Sequence, residues 1–400
     1  MVSEHANPLA VLGGVGGGNQ NVHVAELSAA LCRQGHRVTV YSRRDDPDVP
    51  DRVRADAGYD VVHVPAGPAK RLPRDELLPH MAEFGRFLAA EWPLERPDIV
   101  HAHFWMSGLA SLLAARASET PVVQTFHGLG AVERRHLGKA DTSPPERVRL
   151  ERLIGRDAVQ LAATCTDEVF ELARLGLPRT RVSVVPCGVD LDRFTAAGDV
   201  AARGAAYRIV SAGRLLPRTG FATVIAALPR VADTELVIAG GPAPGGLSGD
   251  REACRLTDLA RRRGVGDRVH LVGRVSHGDL PALLRSADLV VCTPWYEPFA
   301  MVPLAAMACG VPVVAAAVGG LTDAVVDGVT GELVPPRGPD ALASTLRRLL
   351  DDVAQREAYG VAGTDRARSR YSWDRVAVDT LRVYEKALAK PSATQNVAQA

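Results

Sequence analysis

The chain has 400 residues, of which 46% are hydrophobic, and its 47 Lys and Arg balance 46 Asp and Glu. A chain of that length is too long to fold around one ordinary hydrophobic core, so two domains of about 150–200 residues are expected. The balanced charge provides no global field that would attract nucleic acid or a membrane surface, and neither is expected as a partner.

Cysteine usage and the N-terminus predict a cytoplasmic protein. The six cysteines are scattered without a C-x-x-C pair, which favours buried, reduced thiols over a disulfide framework. The chain begins MVSEH, without the basic and apolar regions of a secretory signal. Gly and Pro interrupt every apolar run well short of about 18 residues, so no membrane span is expected.

The first half of the chain alternates apolar runs with helical patterns, for example a helix at 21–35 that stops at Gly35. Such alternation predicts an α/β fold with a parallel, doubly wound sheet. Six runs are typical of buried strands: "HRVTVYS" (36–42), "YDVVHV" (59–64), "PDIVHAH" (97–103), "TPVVQTFH" (120–127), "AVQLAATC" (158–165) and "RVSVVP" (181–186).

A second doubly wound domain is expected after a turn-prone linker at 194–206. Ligands of such sheets bind beyond the carboxyl ends of the strands, so the cleft between two such domains is the expected site. Helices are expected at 340–360 and 371–389. Five further strands are predicted: "YRIVSAG" (207–213), "TELVIAGG" (234–241), "RVHLVG" (268–273), "ADLVVCT" (287–293) and "VPVVAAA" (311–317).

The glycine-rich stretch "GGVGGGNQN" (13–21) precedes the first helix. Clustered glycines let backbone amides approach a phosphate at a helix N-terminus, so Gly16, Gly17 and Gly18 are candidate phosphate-binding residues. The best dinucleotide-type G-x-G-x-x-G register begins at Gly16 and ends on Asn21, which disfavours a dehydrogenase. A flexible surface loop is the remaining alternative.

Histidines end two of the predicted strands. "HAHFWMSG" (101–108) brings His101 and His103 to one strand end, and "TFHGLG" (125–130) places His127 at another. The three imidazoles have the chemistry of zinc ligands, but no carboxylate or cysteine at ligand spacing accompanies them, so packed or substrate-facing histidines are favoured. Trp105 either covers a sugar face or belongs to the core.

The stretch "SAGRLLPRTG" (211–220) follows the first strand of the second domain. The guanidinium of Arg214 has the fork geometry that clamps a diphosphate, and a surface ion pair is the alternative role. Arg218 and Thr219 follow at the next turn.

Taken together, the motifs resemble retaining glycosyltransferase family 4, in its actinobacterial and sucrose-phosphate-synthase-like branch, which includes enzymes that glycosylate inositol phosphate. The resemblance covers nearly the whole chain. It rests on "GGNQNVHVAELSAAL", "HAHFWMSG", "TFHGLG", "VVPCGVDLDRF", "GRLLPRTGF", "WYEPFAMVPLAAMACGVPVVA" and "GGLTDAVVDGVTGELVPP".

The resemblance implies a GT-B fold, with an acceptor domain at 1–195, a nucleotide-sugar donor domain at 207–370 and a C-terminal helix at 371–391 packing back on the first domain. It also implies transfer with retention, without a metal or a cofactor, from a UDP-, GDP- or dTDP-linked sugar to a small-molecule acceptor. A homodimer remains open.

The resemblance also implies roles for individual residues. His127, Arg214 and Glu297 are expected in catalysis. Expected at the acceptor are Asn21, Lys70, His103 and Trp105. Expected at the donor are Gly16, Gly17, Gly18, Arg214, Arg218, Thr219, Gly273, Arg274, Phe299, Ala300, Met301, Val302 and Ala305.

The chain departs from the family pattern at the donor. The second carboxylate of the family's Glu-x7-Glu motif falls on Ala305, its lysine on Thr219, and a glycine on Ala300. A carboxylate that binds the ribose is worth about 1.5–3 kcal/mol for each charge-assisted hydrogen bond. We therefore expect a transferase with an altered donor site, in specialised natural-product metabolism, with Arg218 replacing the lysine. A catalytically degenerate paralogue that acts as a nucleotide-sugar-binding or partner protein is the alternative, and a sugar epimerase is less favoured.

Overall fold

The computed structural model describes residues 1–10 and 18–389. The chain forms two compact units, Met1–Pro186 with the C-terminal segment from Trp373, and Cys187–Ser372. The first unit therefore ends before the expected boundary at 195. The residues that follow Pro186 belong to the second unit, where the Val189 amide donates to the Tyr371 carbonyl at 2.7 Å.

The first unit is built on a largely parallel sheet. Met1–Ser3 lie in the middle of this sheet, because Val2 forms parallel bridges to both Tyr41 and Ala102. The strand order is β2-β3-β1 on one side and β4-β5-β6-β7 on the other, and only β2 is antiparallel. The strands are β1 (Thr39–Arg43), β2 (Arg52–Arg54), β3 (Asp60–Val64), β4 (Val100–His103), β5 (Val122–Thr125), β6 (Gln160–Ala163) and β7 (Val182–Val184).

Six helices of the first unit connect these strands. Strands β4, β5 and β6 are buried along their whole length, as expected for parallel strands covered on both faces. The helices are α1 (Asn19–Arg33), α2 (Met81–Glu95), α3 (Trp105–Ser118), α4 (Gly130–Leu137), α5 (Arg147–Asp157) and α6 (Thr166–Arg174).

The second unit contains an all-parallel sheet of six strands in the order β10-β9-β8-β11-β12-β13. Numbered from β8, this is the Rossmann order 3-2-1-4-5-6, whose topological switch point lies between the first and fourth strands. The strands are β8 (Tyr207–Ala212), β9 (Thr234–Ala239), β10 (Val269–Gly273), β11 (Leu289–Cys292), β12 (Val313–Ala316) and β13 (Gly331–Val334).

Alternate residues of these strands enter two separate cores, because helices cover both faces of the sheet. Ile209 lies in one core and its neighbour Val210 in the other, and Leu236 and Val237 divide in the same way. The helices are α7 (Phe221–Ala227), α8 (Arg251–Arg262), α9 (Leu280–Arg285), α10 (Met301–Ala308), α11 (Leu321–Ala324), α12 (Pro339–Asp351) and α13 (Val353–Arg370).

The last helix, α14 (Trp373–Leu388), belongs to the first unit. All eleven predicted strands are present, and two further strands, β2 and β13, were not predicted. The single helix predicted at 340–360 was wrong. It is interrupted at Asp352, whose carboxylate accepts a hydrogen bond from the Gln355 amide at 2.9 Å and so starts α13.

Candidate functional site

Two histidines meet at the carboxyl ends of β4 and β5 in the first unit. The register pairs His103 with Thr125, and His127 follows two residues after Thr125. Nδ1 of His103 lies 2.8 Å from Nε2 of His127, so one ring donates a proton to the other. This contact fixes the tautomer of each neutral ring in relation to the other.

Two further histidines surround that pair. The ring centroid of His101 lies 4.1 Å from that of His103, and the ring nitrogens of His101 contact the Tyr384 hydroxyl at 2.9 Å and the Thr125 hydroxyl at 2.8 Å. His23, from α1, lies 5.0 Å from the ring of His127. We call His23, His101, His103 and His127 the histidine cluster.

Every member of the histidine cluster is buried, which keeps the imidazoles neutral. Burial lowers the pKa of His23 to about 4. Burial, and then the neighbouring histidines, hold the pKa of His101, His103 and His127 well below the usual value. Loss of water disfavours the charged imidazolium, and like charges would add to the penalty.

The backbone is strained where these strands end. Phe104 has φ of 80° and His127 has φ of 57°, both unusual for residues other than glycine. Strain of this kind persists only where surrounding contacts hold it, and it is concentrated at functional sites.

An ion-pair network that the sequence analysis missed holds the turn after His127. The guanidinium of Arg147 contacts Glu133 at 2.7 Å and Glu151 at 2.8 Å, and it donates to the Gly128 carbonyl at 2.9 Å. Both carboxylate oxygens of Glu151 accept from the Gly130 amide at 3.0 Å. The spacing of Arg147 and Glu151 resembles a surface i,i+4 pair, so the sequence carried no signal that the pair is buried.

The start of α1 is organised by Asn21. Its side-chain oxygen accepts from the Gly18 amide at 3.0 Å, and its amide nitrogen donates to the Asn7 carbonyl at 2.8 Å. Asn21 is 4% exposed, so in this geometry it caps the helix, and acceptor contact stays a prediction. Gly16 and Gly17 lie outside the described residues.

Two other residues predicted at the acceptor, Trp105 and Lys70, differ in burial. Trp105 is 1% exposed and packs as a core residue, the alternative that the sequence left open. Lys70 is exposed, and its carbonyl accepts from Arg43 at 2.6 Å. Arg74 contacts Glu133 at 3.4 Å and lies over the ring of Phe104.

In the second unit, several predicted donor residues follow the two strands that flank the switch point of the sheet. Arg214 follows β8 and Glu297 follows β11, which are the two strands flanking that point. The Thr219 hydroxyl donates to the Arg214 carbonyl at 2.7 Å. The Trp295 amide donates to the Arg218 carbonyl at 2.9 Å, which ties the two loops together.

Glu297 is held from both sides. Its carboxylate accepts from the Phe299 amide at 3.0 Å, and its carbonyl accepts from the Gly320 amide at 2.8 Å. A Cβ on Gly319 would lie 2.5 Å from the Glu297 carbonyl oxygen, so only glycine fits there. Burial raises the pKa of Glu297, while the Phe299 amide and the nearby Arg214 and Arg218 guanidiniums oppose that rise.

The residues after Glu297 form the N-terminus of α10. Ala300 precedes the helix with φ of 53°, a conformation that favours the glycine expected from the family. Met301 and Val302 begin the first turn, where backbone amides lack partners within the helix. Ala305 lies one turn further on, 5% exposed and part of a hydrophobic core.

Gly273 and Arg274 lie at the end of β10, on the same edge of the sheet. Gly273 has φ of 71°, and its carbonyl accepts from the Gly240 amide at 2.8 Å. The Arg274 amide donates to the Pro242 carbonyl at 2.8 Å, and its side chain is exposed.

Two family models together match most of the chain. Residues 15–193 match the model described as Glycosyltransferase Family 4, and residues 193–366 match Glycosyl transferases group 1. The chain belongs to glycosyltransferase family 4. The resemblance found in the motifs and the GT-B fold class are thereby confirmed.

Curated relatives from actinobacteria are similar over nearly the whole chain. D-inositol 3-phosphate glycosyltransferase of Kribbella flavida is 36% identical, over 97% of this chain and 95% of the relative. The protein of the same name from Salinispora tropica is also 36% identical, over 97% of this family 4 chain and 85% of the relative.

Solved structures agree with the fold. Sucrose-phosphate synthase from Thermosynechococcus elongatus matches with a TM-score of 0.87 and 29% identity, over 97% of this chain and 98% of the other. HepE of Anabaena in complex with UDP and glucose matches with a TM-score of 0.71 at 18% identity, over 96% and 98% of the two chains. Across residues 1–10 and 18–389, every helix is too short or too polar to cross a bilayer.

Proposed function

We propose that this protein is a retaining, metal-independent glycosyltransferase that moves a sugar from a nucleotide-sugar donor to a hydroxyl or thiol of a small-molecule acceptor. The observation that carries the proposal is the convergence of Arg214, Arg218 and Glu297 at the switch point of the second unit. That edge of a Rossmann sheet is where nucleotides bind. A cytoplasmic location stays a prediction.

The donor diphosphate is proposed to bind between the two guanidiniums and the N-terminus of α10. Arg218 takes the place of the family's lysine, because it lies close enough to Glu297 to lower the pKa of that carboxylate, as Arg214 does. Two planar guanidiniums present fixed donors to phosphate oxygens. Ala305 offers no carboxylate to a ribose, which favours a dTDP-linked sugar, whose deoxyribose lacks one hydroxyl, or a GDP-linked sugar held mainly through its base.

The proposed reaction is a front-face displacement. The bond from the anomeric carbon to the diphosphate oxygen breaks, and the acceptor atom bonds to that carbon on the same face. The acceptor's proton passes to the departing phosphate oxygen, so no enzyme nucleophile is required. Arg214 and Arg218 stabilise the charge that develops on the leaving group, since preorganised cations cost no reorganisation during the reaction. The contact of His127 with the donor sugar stays a prediction from the resemblance.

The acceptor is proposed to be a hydroxylated small molecule that carries an anionic group. The curated relatives are named for inositol 3-phosphate, and the first unit offers exposed cations at Lys70 and Arg74. A role in specialised natural-product metabolism remains a prediction from the altered donor residues.

A catalytically degenerate partner protein is the second candidate, favoured by the alanine at Ala305 and the threonine at Thr219. The two candidates differ in nucleotide binding. Calorimetric titration with UDP, GDP, ADP and dTDP should give measurable affinity for at least one nucleotide if the protein is a transferase. Failure of all four with a folded protein would favour the degenerate candidate.

Replacing Arg218 tests the proposed donor site directly. Arg218→Ala should weaken binding of the preferred nucleotide diphosphate by about 10–100-fold, since a hydrogen bond to a charged group is worth about 1.5–3 kcal/mol. The matched control is Arg261→Ala, which removes an exposed arginine that pairs with Asp258 at 3.0 Å on α8 of the same unit. Unchanged affinity in Arg218→Ala would exclude Arg218 as the substitute cation.

A further inference from the structure

The histidine cluster contains three residues from three different elements that converge without a carboxylate among them. His23 from α1, His103 from β4 and His127 after β5 each offer a ring nitrogen, and these nitrogens lie within 4.8 Å of one another. The three side chains are buried, with His127 the most exposed at 8%.

We propose that His23, His103 and His127 form an inhibitory binding site for a transition-metal ion such as Zn²⁺ or Co²⁺. Three neutral imidazoles suit Zn²⁺ and Co²⁺, whereas Mg²⁺ and Ca²⁺ require oxygen ligands. Three protein ligands leave the fourth position of a tetrahedral ion for water.

The distances require only side-chain adjustments. Two ligands of one tetrahedral zinc ion lie about 3.3 Å apart, given bonds of about 2.0–2.1 Å. The contact from His103 Nδ1 to His127 Nε2 is 2.8 Å, slightly shorter than that spacing, and all the candidate ligand nitrogens lie within 4.8 Å of one another. Side-chain rotations that move the ring nitrogens by about 1 Å would bring the three imidazoles within bonding distance of a common ion.

Two buried nitrogens of these rings lack a hydrogen bond within the described part of the chain, Nδ1 of His23 and Nε2 of His103. Metal-ligating histidines ordinarily donate their second nitrogen to a fixed partner, which strengthens the site. Since that outer layer is incomplete, we infer a reversible site of moderate affinity instead of a structural zinc site.

Metal binding would inhibit the proposed transfer because it occupies His127. The ion replaces the hydrogen bond between His103 and His127 and holds the His127 ring away from any substrate contact. The inhibition rests on the proposed function, whereas the binding does not, so the two are measured separately.

Binding is tested on the full chain without any donor. Titration with Co²⁺ should give a visible absorption spectrum of a four-coordinate ion at one equivalent, which Zn²⁺ displaces and EDTA abolishes. His23→Phe keeps an aromatic ring against Trp373, whose ring centroid lies 5.5 Å away, and removes one ligand. It should weaken Co²⁺ binding at least about 10-fold, the scale on which lost ligand support acts.

The matched control is His36→Asn, which removes an exposed histidine of the same unit and should leave Co²⁺ binding unchanged. If His23→Phe does not fold, as judged by circular dichroism, His23→Asn takes its place. Equal affinity in the wild type and the His23 variant, or a six-coordinate spectrum, would overturn the site. Where transfer activity is found, Zn²⁺ should inhibit the wild type more strongly than His23→Phe, and equal inhibition would overturn the inhibitory role.

Discussion

At the scale of single residues, strained backbone marks both candidate sites. Phe104 and His127 end strands of the first unit, and Ala300 begins α10 in the second, all with positive φ. The left-handed conformation costs an L-residue roughly 1–2 kcal/mol. Ala300 bears this cost because it stands where the family pattern has a glycine. The chain therefore keeps the turn after Glu297 despite the strain.

Glycine at this position should be tolerated far better than glycine inside α10. Ala300→Gly removes the left-handed penalty, which offsets both the added backbone entropy of the unfolded chain and the loss of a buried methyl group, so we expect the free energy of unfolding to change by less than about 0.5 kcal/mol. Chemical denaturation of the two proteins measures the difference.

Ala306→Gly is the control for this prediction, since Ala306 lies inside α10 and is fully buried. It should lose about 1.5–2 kcal/mol through helix propensity and a buried methyl group. A similar loss of stability in both variants would contradict the strain argument.

At the scale of elements, helices α4 and α5 hold the turn that carries His127. Arg147 is fully buried and has two carboxylate partners, Glu133 and Glu151. Burial raises the pKa of Glu151 to about 7, against the opposing effect of Arg147. Such a network is costly to bury, but it aligns the Gly128 carbonyl and the Gly130 amide beside the strained histidine.

Removing the central arginine should destabilise the first unit strongly. Arg147→Ala leaves the Glu151 carboxylate buried without its cation and removes one of the two arginine partners of the half-buried Glu133, so we expect a loss of about 3–5 kcal/mol in the free energy of unfolding. The control Arg149→Ala, on the exposed face of α5, should change stability by less than about 0.5 kcal/mol. A similar small change in both variants, measured by urea denaturation, would show that the network contributes little.

At the scale of the whole molecule, buried titratable groups couple folding to pH. The four histidines of the cluster are neutral when folded and have an ordinary pKa near 6.5 when unfolded. Below pH 6.5 the unfolded chain therefore binds more protons than the folded chain, and stability falls as the pH falls. Glu151 and Glu168 of the same unit act in the opposite direction, because burial raises the pKa of each carboxyl.

Four histidines outweigh two carboxyl groups, so the first unit should lose stability between pH 6.5 and 5. Each buried histidine contributes up to about 1.4 kcal/mol per pH unit. Urea denaturation at pH 7.5, 6.5 and 5.0 measures the slope. His23→Phe should give a shallower slope than the wild type, and equal stability at pH 7.5 and 5.0 would contradict the prediction.

The sequence alone determined the fold class and the positions of most strands. A strand such as the one predicted at 234–241 can be recognised from its own residues, because a strand covered on both faces needs apolar residues throughout. The order of the motifs identified the family, and two of those motifs contain Arg214 and Glu297. Edge strand β2 was missed because its residues are polar and half-exposed, and the break at Asp352 because a single cap interrupts an otherwise helical pattern.

Only the tertiary structure decided which side chains share a site. His23, His103 and His127 are far apart in the chain and meet because α1, β4 and β5 converge at one edge of a sheet. The same packing buried Trp105 and Asn21, and it turned Arg147 and Glu151 from an apparent surface pair into an internal network. Burial and long-range proximity arise from the packing of elements, and local sequence patterns carry no information about either.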